Sequence, residues 1–380
     1  MDLAIGIHSM APAGGTELNV FQVSRGLAQR GHAIDLIAAR DGALAEEYRT
    51  FCRSVTRCPV FDFARSTALR DLVRMTPAVV ATARKKPDVV YPNRFAEIVW
   101  AAAAGRLSRA PVVCHLHEIR HARPGSFPND HVRRFIAVSE FLKGQWVEIG
   151  LNPDLIDVVH NGVSSDQYPP GGKEEQDLAR ARLGLPKEGF VALYFGRLDP
   201  EKGLDVLLDA WRRLGIGGGE GRLLLVGSPS THLRDGARYV EGLQANAPPG
   251  CIWLPAQADV VVPLHAADVV VLPTICDEGF PRVIIEALAT GRPVLASRIG
   301  GIPELLTGEF ERFLLEPGDA GMIASALGSL VGWQQREPEL AGRCSAHIRD
   351  HFSLDRLVEG VERSLMATAR EVRGKVSAWT

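Results

Sequence analysis

Residues 268–306 read DVVVLPTICDEGFPRVIIEALATGRPVLASRIGGIPELL, and this stretch decides the fold. Val269-Val270-Val271-Leu272 is a short β-branched run that ends at Pro273, the pattern of a buried strand. A polar loop with Asp277 and Glu278 follows, and Gly279-Phe280-Pro281 leads into an apolar-periodic helix over 282–290. Gly291 stops that helix and Pro293 opens a second buried strand, Val294-Leu295-Ala296. Gly300-Gly301-Ile302-Pro303-Glu304 reads as a glycine turn that opens another helix.

Glu278 sits in the loop at a helix N-terminus, and Glu286 lies eight residues on, about two turns of a regular helix. Free N–H groups at such an end hold anions or hydroxyl oxygens. The two acids therefore read either as acceptors for polyol hydroxyls or as an N-cap acid followed by a solvated glutamate.

Working outward, 380 residues exceed what one hydrophobic core usually fills, so two domains are expected. Hydrophobic content of 46% and charged content of 23% are ordinary for a globular protein. A net charge of −2 argues against a nucleic-acid partner, which needs a basic face. Residues 1–165 carry 20 Lys+Arg against 16 Asp+Glu, and 166–380 carry 23 against 29, so the first half is mildly basic. Six cysteines without a C-x-x-C pair suit reduced thiols in a cytosol. No stretch reaches the roughly 20 apolar residues of a membrane span. Met1 to Ser9 reads as a first strand and not as a signal peptide, so a cytoplasmic protein is expected.

The chain begins with an apolar run at 3–7, a loop with Gly14-Gly15, a helix from Thr16 to a cap at Gly31, and a strand at 33–38. This is a βαβ unit and implies a parallel sheet. Residues 60–86 interleave Arg65, Arg70, Arg74, Arg84, Lys85 and Lys86 with Leu69, Leu72, Val73, Val79 and Val80. They read as a helix with a solvated basic face or as one that touches anionic lipid. Further strands are expected at 87–91, 111–116, 134–139 and 157–163, and the polar stretch 164–177 reads as a linker. The boundary is placed near 170, giving domains 1–170 and 171–360. The second domain restarts with Phe190–Phe195 and the loop Gly196–Gly203, which carries Arg197 and Lys202 before a helix N-terminus. Two cations and free N–H groups there suit a diphosphate, and surface decoration is the plain alternative.

His117-Glu118-Ile119-Arg120-His121 spells H-E-x-x-H, which binds zinc only when both histidines lie one turn apart on a helix. Here it follows a β-branched run and Pro124-Gly125 comes three residues later, so no metal site is expected.

Taken in order, G-G-x-E (Gly14, Gly15, Glu17), His117, G-R-x4-K-G (Gly196 to Gly203) and E-x7-E (Glu278, Glu286) resemble the retaining glycosyltransferase family 4. The resemblance spans nearly the whole chain. It implies the α/β GT-B architecture, two Rossmann-like doubly wound parallel-sheet domains facing a cleft, with a last helix from about 360 to 380 packing back on the first domain. It implies an acceptor-binding first domain and a donor-binding second domain. It also implies a hexosyltransferase that moves a sugar from a nucleotide-diphosphate sugar, UDP- or GDP-linked, to a glycan, lipid-linked or small-molecule acceptor. By resemblance His117, Arg197, Lys202 and Glu278 carry the chemistry. Gly14, Gly15, Gly227, Gly279, Phe280, Pro281 and Glu286 bind the donor, with Glu286 on the ribose. No D-x-D motif occurs, so no metal or other cofactor is expected. The basic first half adds weak peripheral contact at the inner membrane face. The sequence departs from the family pattern at Ser228-Pro229, at Pro255 and at Phe310 to Leu315. A nucleotide-sugar epimerase on the same scaffold, a silent sugar-nucleotide binder and a zinc peptidase are the alternatives.

Overall fold

The structure, a computed structural model, describes all residues except 13, 62–64, 120–131, 230–233, 258 and 378–380. Two compact units form, one from Met1–Asn161 and Leu354–Thr380, the other from Gly162–Ser353.

The first unit holds strands β1 (Asp2–Ser9), β2 (Ala33–Arg40), β3 (Ser54–Arg57), β4 (Val89–Tyr91), β5 (Val112–Leu116), β6 (Val132–Ala137) and β7 (Ile156–Val158). They pair in the order β3-β2-β1-β4-β5-β6-β7, and every pair is parallel. Leu3, Ile5, Leu36, Val89 and Val113 are fully buried, as strands covered on both faces require. The helix Gly15–Gln29 packs Val20, Val23 and Leu27 into that core, and the last helix, Leu354–Ser377, adds Leu357, Val361 and Leu365.

The second unit holds β8 (Phe190–Phe195), β9 (Gly221–Val226), β10 (Cys251–Leu254), β11 (Val269–Leu272), β12 (Val294–Ser297) and β13 (Leu314–Leu315). Their order is β10-β9-β8-β11-β12-β13, again parallel throughout. The helix Arg282–Ala289 connects β11 to β12 and buries Ile284, Ile285 and Leu288. Both units are thus doubly wound, as the family resemblance implies, and parallel, as the βαβ pattern implies.

Some local readings differ. The helix Ala45–Phe51 and the half-buried strand β3 lie where no periodic pattern was legible. The strand expected at 157–163 ends at Val158. Beyond it, the Val163 N–H donates to Phe352 O and Val163 bridges to Ser353, which draws this segment into the second unit. Tyr168 bonds Glu286 within the same unit. The division therefore falls at 161/162 and 353/354, where the sequence reading put it near 170 and 360. The helix expected after Gly301 is only a 3-10 turn, Ile302–Glu304: Leu305 and Leu306 turn into the core, and Gly308 takes φ +61. Among the described residues no helix is long and apolar enough to cross a membrane.

Candidate functional site

In a doubly wound sheet, ligands gather outside the carboxyl ends of the strands, where the winding direction reverses. In the second unit that point lies between β8 and β11. The loop leaving β8 carries Arg197 and Lys202, and the loop leaving β11 carries Glu278. Lys202 Nζ donates to Glu278 Oε1, and both side chains are half-buried. The two loops are stitched together behind that pair. Thr274 Oγ1 and the Ile275 N–H both donate to Glu201 O, at 3.0 and 2.9 Å. Gly203 has φ +65, and a Cβ there would stand 2.2 Å from Pro273 O. On the far side, a Cβ on Gly300 (φ +61) would stand 2.4 Å from Glu278 O, and the Gly301 N–H donates to that oxygen at 2.8 Å. The glycine turn of the opening stretch thus clamps the Glu278 backbone. Arg197 is exposed and pairs with buried Asp199 at 3.1 Å.

Glu286 is buried on the helix Arg282–Ala289, where its Oε1 accepts from Tyr168 Oη at 3.0 Å and Arg282 Nε at 3.1 Å. Burial raises its pKa, while Arg282 and Tyr168 pull it down. The structure joins Lys202 to Glu278 and ties Glu286 to a different pair of partners. Phe280 is buried with its ring centroid 5.6 Å from that of Phe352, Gly279 is half-buried, and Pro281 caps the helix. Gly227 backs the Gly196 loop, since a Cβ there would stand 1.9 Å from Gly196 O.

In the first unit the winding reverses between β1 and β4. Gly14 caps the helix Gly15–Gln29, and buried Glu17 in its first turn pairs with Arg94 Nη2 at 3.0 Å. Arg94 Nε also lies 3.3 Å from Glu118 Oε1, so one arginine on the β4 exit links the glycine turn to the loop after β5. That loop holds His117. It is half-buried, and its Nε2 is enclosed without a hydrogen-bond partner among the described residues. Its ring centroid stands 4.1 Å from that of His115, whose Nδ1 meets Tyr91 Oη at 2.6 Å. Burial, with His115 and Arg94 beside it, holds His117 well below the usual imidazole range. Burial alone pushes His115 down to about 3, so both rings are neutral at neutral pH.

Arg94 was missed by the sequence reading, because a lone arginine after a short strand carries no periodic signal. So was Glu97, which is fully buried and accepts from the Asn93 N–H at 2.8 Å; burial pushes its pKa up to about 8. Of the H-E-x-x-H segment, Glu118 is exposed in the loop after β5 and its carbonyl accepts from Trp146 Nε1 at 3.2 Å. Arg120 and His121 lie outside the described residues.

Comparison with known families adds the rest. The family description "Glycosyltransferase Family 4" matches residues 13–167, and "Glycosyl transferases group 1" matches residues 189–332. The chain is a glycosyltransferase of the GT-B type. This glycosyltransferase is 28% identical to D-inositol 3-phosphate glycosyltransferase of Acidothermus cellulolyticus, over 93% of its own length and 86% of that protein's. It is 29% identical to lipopolysaccharide 1,2-N-acetylglucosaminetransferase of Salmonella typhimurium, over 68% of each chain. Its fold is similar to that of Anabaena Alr3699/HepE, solved in complex with UDP and glucose, with a TM-score of 0.81, 24% identity, and coverage of 96% of this chain and 99% of that one.

Proposed function

We propose that this glycosyltransferase moves a sugar from a nucleotide-diphosphate sugar to an acceptor hydroxyl with retention of anomeric configuration, and that residues 162–353 bind the donor. The Lys202–Glu278 pair at the β8/β11 reversal, with Arg197 on the same loop, carries the reading. Two cations beside a carboxylate can meet the two ends of a sugar diphosphate. Arg197 and Lys202 neutralise charge that develops on the leaving diphosphate. Glu278 accepts bonds from the sugar hydroxyls, next to Gly279, Phe280 and Pro281. Glu286 takes the ribose, with a ribose hydroxyl joining or displacing the Tyr168 bond. In the first unit, Gly14 and Gly15 stand at the N-terminus of the helix Gly15–Gln29, where first-turn N–H groups suit a phosphate. Neutral His117, whose Nε2 is enclosed without a hydrogen-bond partner among the described residues, is the first unit's candidate donor or acceptor for a sugar hydroxyl.

The reaction runs on one face of the sugar. The bond from the anomeric carbon to the diphosphate oxygen breaks, the acceptor oxygen bonds to that carbon on the same side, and the acceptor proton passes to the leaving phosphate. No carboxylate is assigned as a nucleophile, and no metal is required, because Arg197 and Lys202 supply the positive charge. The Anabaena structure with UDP and glucose supports a UDP-hexose as the first donor to test. The inositol phosphate and lipopolysaccharide enzymes support a polyol phosphate or lipid-linked glycan as acceptor, and the mildly basic first half supports peripheral work at the inner membrane face.

The decisive experiment supplies UDP-glucose and an acceptor panel in excess EDTA, and reads the anomeric configuration of the product by proton NMR. An α-linked product from the α-linked donor is expected. A β-linked product overturns the retaining reading, and loss of turnover in EDTA overturns the metal-free one. A thermal-shift panel of UDP, GDP and ADP ranks the bases.

A further inference from the structure

We infer that the outward face of the helix Ala68–Arg84 docks this protein on an anionic lipid bilayer. This names the surface for the peripheral contact proposed above and does not depend on the transfer reading.

The helix Ala68–Arg84 has two apolar stripes, and only one has a partner. Its inward face buries Met75, Ala78, Val79 and Thr82, and it also buries Asp71, whose carboxylate accepts from Thr67 Oγ1. The opposite face carries Leu69, Val73 and Leu72, which are 82%, 71% and 43% exposed. Residues i, i+3 and i+4 share one helical face, and half-buried Val80 continues this face toward the C-terminus.

The exposed charges of this helix and of the chain just after it have one sign. Between residues 66 and 109 the exposed charged side chains are Arg70, Arg74, Arg84, Lys86, Arg106 and Arg109. The acids of that segment, Asp71, Asp88 and Glu97, are all buried or half-buried. A solvated helix face ordinarily mixes signs and tucks its leucines inward. An apolar stripe rimmed by arginines, with no exposed acid, is what the interface of an anionic bilayer accepts: the leucines enter the acyl boundary and the cations meet the phosphates.

The test is co-sedimentation of the full chain with vesicles of phosphatidylglycerol and phosphatidylcholine, against vesicles of phosphatidylcholine alone. Every substituted side chain is exposed, and thermal unfolding confirms that the variants fold. Wild type is expected to pellet with the anionic vesicles, to stay in solution with the neutral ones, and to release in 0.5 M salt. Each cation near the surface contributes about fivefold to partitioning. Arg70→Glu with Arg74→Glu should therefore lower it by more than about 25-fold, and Leu69→Ser with Val73→Ser by at least about tenfold. Wild type that stays in solution with anionic vesicles, or partitioning that either double variant leaves unchanged, overturns the inference. So does a dimer in light scattering that the same substitutions dissolve while vesicle binding persists, since the face would then belong to a second copy. Retention on duplex DNA without vesicle binding would likewise reject the bilayer. Vesicle binding needs no turnover, so failure of the transfer reading leaves this result interpretable, and the reverse holds too.

Discussion

Replacing Gly203 with alanine should disturb the loops that hold Lys202 and Glu278 without touching a charged group. Gly203 takes φ +65, and an added Cβ would lie 2.2 Å from Pro273 O, a backbone atom. The left-handed conformation alone costs an alanine about 1–2 kcal/mol. Relieving the overlap pushes the two loops apart by roughly 1 Å, because carbon and oxygen need van der Waals separation. That shift strains the bonds from Thr274 Oγ1 and the Ile275 N–H to Glu201 O, each worth about 0.5–1.5 kcal/mol. The whole change comes to about 2–5 kcal/mol. Gly308 provides the control: its φ is +61 and, its chain neighbours aside, no atom of the described residues lies within 4 Å of its Cβ position, so Gly308→Ala carries only the conformational cost. Urea unfolding should place Gly203→Ala at least about 1 kcal/mol below Gly308→Ala. Calorimetric titration should also show weaker UDP binding in Gly203→Ala alone, because the displaced loops carry Lys202 and Arg197, the cations proposed to hold the diphosphate. Equal stabilities, or an unchanged UDP affinity, would refute the claim that the Gly203 contact sets the spacing of the Lys202 and Glu278 loops.

Glu278→Ala should abolish sugar transfer and leave the melting temperature within a few degrees of wild type, since the pair it breaks is half-buried; full turnover in the variant would remove Glu278 from the site. Glu286→Ala should destabilise by about 3–5 kcal/mol, because it removes the buried carboxylate that offsets the Arg282 charge. The paired change Arg282→Met with Glu286→Leu should recover most of that loss in chemical unfolding, and an equal loss in both would contradict it. Glu97 makes stability depend on pH. Its folded pKa is about 8 and its ordinary value 4.5, so the folded state keeps a proton that the unfolded chain releases between those values. Stability from this group is therefore full below about pH 4.5 and declines as pH rises to 8, by up to about 5 kcal/mol at 1.36 kcal/mol per unit. Glu97→Gln keeps an oxygen for the Asn93 N–H and should flatten that decline; parallel pH curves for the two proteins would argue against a buried neutral Glu97.

Much of the scaffold was legible in the residues. Strand 269–272 and the helix from Arg282 appear where the apolar run and the 3.6-residue period put them, because both patterns report local backbone geometry directly. Strand β3 and the helix Ala45–Phe51 were not legible, because a half-buried edge strand and a seven-residue helix expose too few apolar positions to form a pattern.

The sequence by itself determined that two parallel α/β units follow one another, and which loops carry Arg197, Lys202, Glu278 and His117. Only the tertiary structure decided who meets whom. Lys202 reaches Glu278 across 76 residues, through loops that share the β8/β11 reversal. Glu286 turns to Tyr168 across 118 residues, and Arg94 ties Glu17 to Glu118. The helix Ala68–Arg84 shows the same limit. Its sequence shows apolar residues interleaved with basic ones, and only packing against the rest of the unit selects which apolar residues are buried and which, with the arginines, are left facing outward. Periodicity encodes the conformation of neighbouring residues, whereas partners and burial follow from where the chain returns, which no local pattern records.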